Sequence, residues 1–295
     1  MRNSILLLII SIILLTGCEK QTANPEYVNS IRQWHKKRIE RLKSETGWLN
    51  LVGLYWLNKG QNTFGSAMGN DIIFPSKAPA HIGTFTLNDS TVTVTINPGV
   101  EVFTDSTKVT AIELKDDLSD NSTVLRYGSL RWFIINRNGK KGVRLRDINS
   151  PLVNEFKDIE TYPIDEKWKV VARFEPYPSP KIIPIPNIIG SVENDTVSGR
   201  LVFILEGKTY TLDPVTEGNE FFLIFADETN GEETYGAGRF LYTDKPDSSG
   251  KTIIDFNKAY NPPCAFTKFA TCPLPPKQNY LHLKITAGER KYGNH

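Results

Sequence analysis

Between Asp255 and Pro276 the chain reads DFNKAYNPPCAFTKFATCPLPP, a stretch that holds five of its eighteen prolines and two of its three cysteines. No helix passes through such a segment: each proline lacks a backbone donor and fixes φ, and each residue before a proline is pushed to extended geometry. Phe256, Tyr260, Phe266, Phe269 and Leu274 give it apolar surface that must be buried, so it is not a solvated linker either. The expectation is an ordered loop laid across a sheet, with the polar groups Asp255, Asn257, Tyr260 and Asn261 fixed in one short run.

The opposite end of the chain speaks to compartment. Arg2 precedes an apolar run from Ile5 to Leu15, interrupted only by Ser11. That run is shorter than the ~20 residues a membrane-spanning helix needs but suits the h-region of a signal peptide. It ends Leu15-Thr16-Gly17-Cys18, which resembles the lipobox of bacterial lipoproteins. The resemblance implies a signal peptide over 1–18, a lipid on Cys18, and a mature protein held to a membrane in the cell envelope. Glu19 rather than Asp follows the cysteine, so the outer membrane is favoured over inner-membrane retention. Cys264 and Cys272 then remain, and parity in an oxidising compartment favours a disulfide between them. A thiolate nucleophile or a metal ligand pair are the other states open to them, although their spacing matches no zinc pattern.

Residues 19–47 read as a tether followed by a helix from Pro25 to Ser44. Asn24 is placed to cap it, Pro25 suits its first position, and Val28, Ile31, His35, Ile39 and Leu42 form an apolar stripe. Arg32, Lys36, Lys37, Arg38 and Arg41 fall on the other faces. From Trp48 short runs of Val, Ile, Thr and aromatics alternate with turn signals, and Asn138-Gly139 is the strongest of these hairpin turns. Residues 48–148 therefore read as a β-sandwich. Gly65-Ser66, Ser76 with His81, and Asn138-Gly139 occur in an order that resembles a forkhead-associated domain. The phosphate-gripping arginine of that fold is absent here, so the resemblance implies the sandwich and not phosphothreonine binding. Residues 149–295 read as a second β-rich domain carrying the 255–276 motif. Within it the prolines from Pro176 to Pro186 read as a bridge, Glu220–Ala226 as a central strand, 234–243 and 279–287 as further strands, and 227–233 as a solvated acidic turn. The fold class is mainly β.

Several segments together resemble the family known as domain of unknown function 1684. They are Thr234-Tyr235-Gly236-Ala237-Gly238-Arg239-Phe240-Leu241, Asp255-Phe256-Asn257, Ala259-Tyr260-Asn261-Pro262-Pro263-Cys264-Ala265-Phe266, Cys272-Pro273-Leu274-Pro275-Pro276 and Ala287-Gly288-Glu289. Gly47-Trp48-Leu49 and Arg144-Leu145-Arg146-Asp147 also fit. The resemblance implies no activity, so function rests on side-chain chemistry.

Apolar residues make up 39% of the chain and the net charge is +2, with Lys and Arg scattered, which gives a nucleic acid no basic surface to bind. Neither Gly-x-Ser-x-Gly nor HExxH occurs, which removes two common hydrolase designs. No cofactor is implied. The candidate binding set is Arg239, whose planar fork suits a carboxylate or phosphate, with Asp255, Asn257, Tyr260 and Asn261. The same Asp and Asn side chains are equally suited to capping turns. The favoured reading is a non-catalytic envelope lipoprotein that binds a small polar ligand or an extended chain. The alternative is a hydrolase with Asp255 as general base and Arg239 gripping an anionic group. Oligomeric state is open.

Overall fold

The computed structural model describes residues 24–293. The expected signal peptide over 1–18, with the expected lipidation position Cys18, and the terminal His295 lie outside them. The first element, α1 (Pro25–Lys43), begins as the sequence dictates, with the Asn24 side chain accepting from the Glu26 amide and Pro25 in the first turn. Its buried stripe, however, is Tyr27, Ile31, Arg38 and Leu42. It keeps Ile31 and Leu42 of the expected stripe, but Tyr27 and Arg38 are buried in place of Val28 and Ile39, so it includes an arginine.

The strands β1 (Leu51–Trp56), β2 (Gly60–Gly65), β3 (Ile72–Ile73), β4 (Gly83–Asn88), β5 (Thr91–Ile96), β6 (Val102–Thr104), β7 (Thr107–Val109), β8 (Ala111–Leu114), β9 (Leu125–Tyr127), β10 (Leu130–Arg137) and β11 (Lys140–Asp147) follow. They form two sheets, in the orders β1-β11-β10-β9-β6-β7 and β3-β2-β4-β5-β8. Alternating residues of both sheets meet in one core, where Phe64 stacks on Phe85 at 4.1 Å and Trp132 packs edge-on to Phe64 and Phe74. Asn138-Gly139 makes the β10–β11 hairpin turn. A short helix, α2 (Pro151–Glu155), leads out of the sandwich.

Beyond it lie β12 (Lys169–Pro186), β13 (Val192–Leu205), β14 (Lys208–Leu212), β15 (Val215–Glu217), β16 (Glu220–Asp227), β17 (Arg239–Asp244), β18 (Lys251–Asp255) and β19 (Tyr280–Leu281). One sheet runs β14-β13-β12-β18, and the other runs β15-β16-β17 with β19 added parallel to β16. Phe203 and Leu201 of the first face Phe221, Leu223 and Phe225 of the second across a shared core. The apolar run 220–226 is central to its sheet, as its lack of alternation predicts.

Three expectations are corrected. The prolines 176–186 are not a bridge but part of an 18-residue strand. They recur at alternate positions, so their missing donors fall on one edge, and β18 pairs only as far as Arg173, leaving that edge open. A register shift between Pro176 and Lys181 absorbs the rest. Neither 234–243 nor 279–287 is strand throughout: regular pairing is confined to Arg239–Asp244 and Tyr280–Leu281. The 227–233 segment is not merely a solvated turn, because Asp227 and Thr229 are fully buried within it.

Candidate functional site

The 255–276 segment does lie ordered across the sheets of β12–β19, beneath α1. Cys264 and Cys272 are joined by a disulfide with their Cα atoms 6.1 Å apart. The ring it closes is small, so chain entropy gives it a contribution of about 2–3 kcal/mol. A bridge of this kind fits an oxidising compartment.

Four of the five residues expected to converge on a ligand divide among three internal networks, Asn261 through its backbone. Asp255 accepts from the Tyr27 hydroxyl at 2.8 Å and from both nitrogens of Asn257 at 3.2 Å. Burial first, then the Asp255 charge, pushes the Tyr27 phenol far above its ordinary pKa, so it stays a donor. Asn257 also exchanges hydrogen bonds with the backbone of Asp165. In the second network the Asn261 amide donates to Glu289 Oε2 at 2.7 Å, and Arg38 donates from Nε to Glu289 Oε1 at 3.2 Å and from Nη2 to the Asn261 carbonyl at 2.9 Å. In the third, Arg239 is 0% exposed and donates to Asp227 Oδ2 at 2.7 Å and to the carbonyls of Ile285 and Ala287.

The hydrolase pairing therefore does not assemble. Arg239 meets Asp227 rather than Asp255, and its two terminal nitrogens donate to protein acceptors. Sequence reasoning missed Tyr27, Arg38, Asp227 and Glu289. One signal was available for the last and for the partner of Asp227: both Arg239 and Glu289 follow a glycine. Gly238 (φ 89°) and Gly288 (φ 75°) hold left-handed backbone, and a Cβ on either would stand 2.4 Å from a neighbour, Pro275 Cγ or the Ala259 carbonyl. Each glycine turns the charged residue after it into the interior.

Tyr260 leads to a groove. A cavity of about 460 Å³ lies along Trp34, Tyr242 and Tyr260, and another of about 540 Å³ runs past Asn136, Phe222, Phe240 and the disulfide loop. The two are adjacent, with Trp48 and Glu217 lining both. Aromatic rings follow one another along it. Phe222 stacks with Tyr242 at 4.8 Å, Tyr242 lies nearly parallel to Tyr260 at 6.5 Å, and Trp34 is 6.4 Å from Tyr260. Arg38 backs the Tyr260 ring at 4.5 Å, which fixes its plane. The Tyr242 hydroxyl donates to Glu217 at 2.7 Å. The second cavity is walled by Asn136, Asn138, Asn187 and Asn194 and by Asp117, Glu193, Asp195 and Glu217, with Thr271, Cys272 and Pro273 along one side. Arg137 and Arg144 both donate to Thr271 Oγ1 at 3.2 Å and hold that side in place. Burial, reinforced by the neighbouring Arg137 charge, lowers the Arg144 guanidinium to about 10. His81, expected in the forkhead-associated pattern, bonds Asn70 elsewhere on the sandwich, while Asn138 reaches across to the Val192 carbonyl.

Such a groove can hold a chain by stacking on its flat apolar faces while amides and carboxylates bond its polar edges. Among solved structures, the solution structure of an uncharacterized protein of Haloarcula marismortui is 29% identical, covering 46% of this chain and 78% of that one, with a TM-score of 0.39. No curated protein matches the chain. Residues 154–290, which hold Arg239, Asp255, Asn257, Asn261 and Glu289, match the family described as Protein of unknown function (DUF1684).

Proposed function

We propose that the protein is a non-catalytic envelope lipoprotein that binds an extended, hydroxyl-rich chain of glycan type in the groove from Trp34 to Asn138. The observation that carries this is the aromatic row Phe222, Tyr242, Tyr260 and Trp34, adjacent through Trp48 to a cleft of four asparagines and four acids. Sugar rings present apolar C–H faces to such rings and hydroxyls to such side chains. Tyr242, 37% exposed, offers the most open stacking face. The hydrolase alternative has no supporting geometry, since Arg239 and Asp255 are committed to separate buried partners.

Tyr242→Ala and Trp48→Ala should each weaken binding of a tetrasaccharide by about 5–30-fold, the scale of an interface anchor. Calorimetry with cellotetraose, chitotetraose and maltotetraose reads this, with melting of the Tyr242 variant unchanged as the folding control. Binding to none of the three, or equal binding by both variants, would remove the reading.

The anchor is part of the same proposal and rests on the Leu15–Cys18 resemblance. Among the described residues no helix is long and apolar enough to cross a membrane. Mass spectrometry of the mature protein should find a diacylglyceryl group on an N-terminal Cys18, and Cys18→Ala should leave the protein unlipidated. A mature form starting elsewhere would end the lipoprotein assignment.

A further inference from the structure

An antiparallel sheet that turns one face to water ordinarily makes that face polar. The outer face of β14-β13-β12-β18 does not. Register sets Ile253 of β18 opposite Val171 of β12, and the adjoining Ala172–Phe203 pair brings Ile204 of β13 up on the other side. The three are 42%, 58% and 65% exposed. Their neighbours Ile254, Ala172 and Phe203 point the other way, into the core. Around this apolar row, on the same face, stand Lys169, Arg173 and Lys251, with Arg200 beyond Arg173. Two carboxylates share the face. Glu175 is divided between Arg173 and Arg200, and Asp255 is sealed beneath the Tyr27 hydroxyl. An exposed apolar row rimmed by cations marks a contact surface.

The start of α1 lies at the end of this face. The Asn24 amide donates to Glu166 Oε1 at 3.0 Å, and Lys169 Nζ stands 5.0 Å from the centre of the Tyr27 ring. Asn24 follows Cys18 by six positions, at most about 20 Å of extended chain. A lipid on Cys18 would therefore keep Asn24, and with it the Lys169 end of β12, close to a bilayer. Building on that anchor, we propose that this face docks on the surface of an anionic bilayer, with Val171, Ile204 and Ile253 in the headgroup layer and the cations against lipid phosphates. A second copy of the chain suits the face less, because a two-fold contact would set its cations against themselves. Phe221, Leu223 and Leu241 point into the shared core, so Phe222 and Tyr242 lie on the outer side of the opposite sheet, and docking leaves their groove open to solution.

The chain from residue 19 onward, which has no Cys18 to acylate and keeps every described residue, should co-sediment with vesicles of mixed phosphatidylcholine and phosphatidylglycerol. It should bind phosphatidylcholine vesicles far less, and high salt should release it. Val171→Thr, Ile204→Thr and Ile253→Thr together keep branched side chains on the strands and should weaken partitioning at least about tenfold. Lys169→Gln with Lys251→Gln should weaken it about 25-fold, a factor of about five for each cation. Unchanged melting is the folding control for both variants. Equal sedimentation of the wild type with the two vesicle types, or variants that bind as it does, would overturn the proposal. So would a dimer in sedimentation velocity that the threonine variant dissociates, which would give the face to a second copy. Because this chain carries no lipid, an unmodified Cys18 in the cell would leave a positive vesicle result standing, and a lipidated Cys18 would not rescue a face that fails to bind.

Discussion

Arg239→Met is expected to lower the stability of the protein by about 3–5 kcal/mol, the largest single effect among its charged residues. Arg239 is 0% exposed, and its loss strands the equally buried Asp227 carboxylate together with the carbonyls of Ile285 and Ala287. The ion pair itself need not be a strong net gain, since desolvating two charges offsets much of their attraction. Removing one partner is what costs, because the other cannot reach water. Domains of this kind have a total stability of roughly 5–15 kcal/mol, so the variant should be found partly unfolded or insoluble. Urea denaturation measures it. A midpoint shift worth less than ~1 kcal/mol would show that water reaches Asp227 and that the pair is not sealed.

The second large effect is at Glu289, and it carries a pH signature. Glu289→Ala leaves the Arg38 guanidinium and the Asn261 amide unpaired in the interior, with an expected cost again of about 3–5 kcal/mol. In the intact protein, burial raises the Glu289 pKa above the ordinary glutamate value, and the Arg38 charge pulls it down by less. A carboxyl whose folded pKa is raised binds its proton more readily when folded. Its contribution is therefore complete below the unfolded value of ~4.3 and is lost as pH rises from there through the folded pKa. Asp116 and Asp147 behave oppositely. Burial raises them, but Lys141 and Lys77 outweigh it and hold both below the usual carboxylate range, so their stabilisation is lost as the solution becomes strongly acid. Melting temperature against pH for wild type and Glu289→Gln should show the extra decline above the glutamate range in wild type only. Parallel curves would contradict the assignment.

The sequence carried the elements whose signals are local. The Asn24-Pro25 cap, the Asn138-Gly139 hairpin, the apolar β16 run and the Cys264–Cys272 bridge each depend on residues within a few positions of one another. The groove and the buried networks depend on pairs such as Tyr27 with Asp255 and Arg38 with Glu289, 228 and 251 positions apart, and no periodicity encodes those. The helix shows how narrow the miss was. Val28, Ile31, His35, Ile39 and Leu42 follow from allowing only apolar residues and histidine on the stripe. Admitting Tyr27 and Arg38 gives the observed face, and an arginine on a buried face asks at once for a distant carboxylate. The 176–186 prolines misled for another reason: proline excludes only the hydrogen-bonded edge of a strand, and β12 has a free one.

One consequence concerns where the chain can be divided. The family match begins at residue 154, yet Tyr27 and Arg38 on α1 complete the hydrogen bonding of Asp255 and Glu289 within it. Leu42 and Leu49 likewise share a cluster with Phe156, Ile159, Tyr235 and Phe266. The N-terminal helix thus serves the matched segment as an intramolecular ligand, tethered by the chain itself. Homology ends at a point where cooperativity does not, and a protein trimmed to 154–290 would need another phenol and another guanidinium, from a partner or a second copy, before its interior carboxylates could be covered.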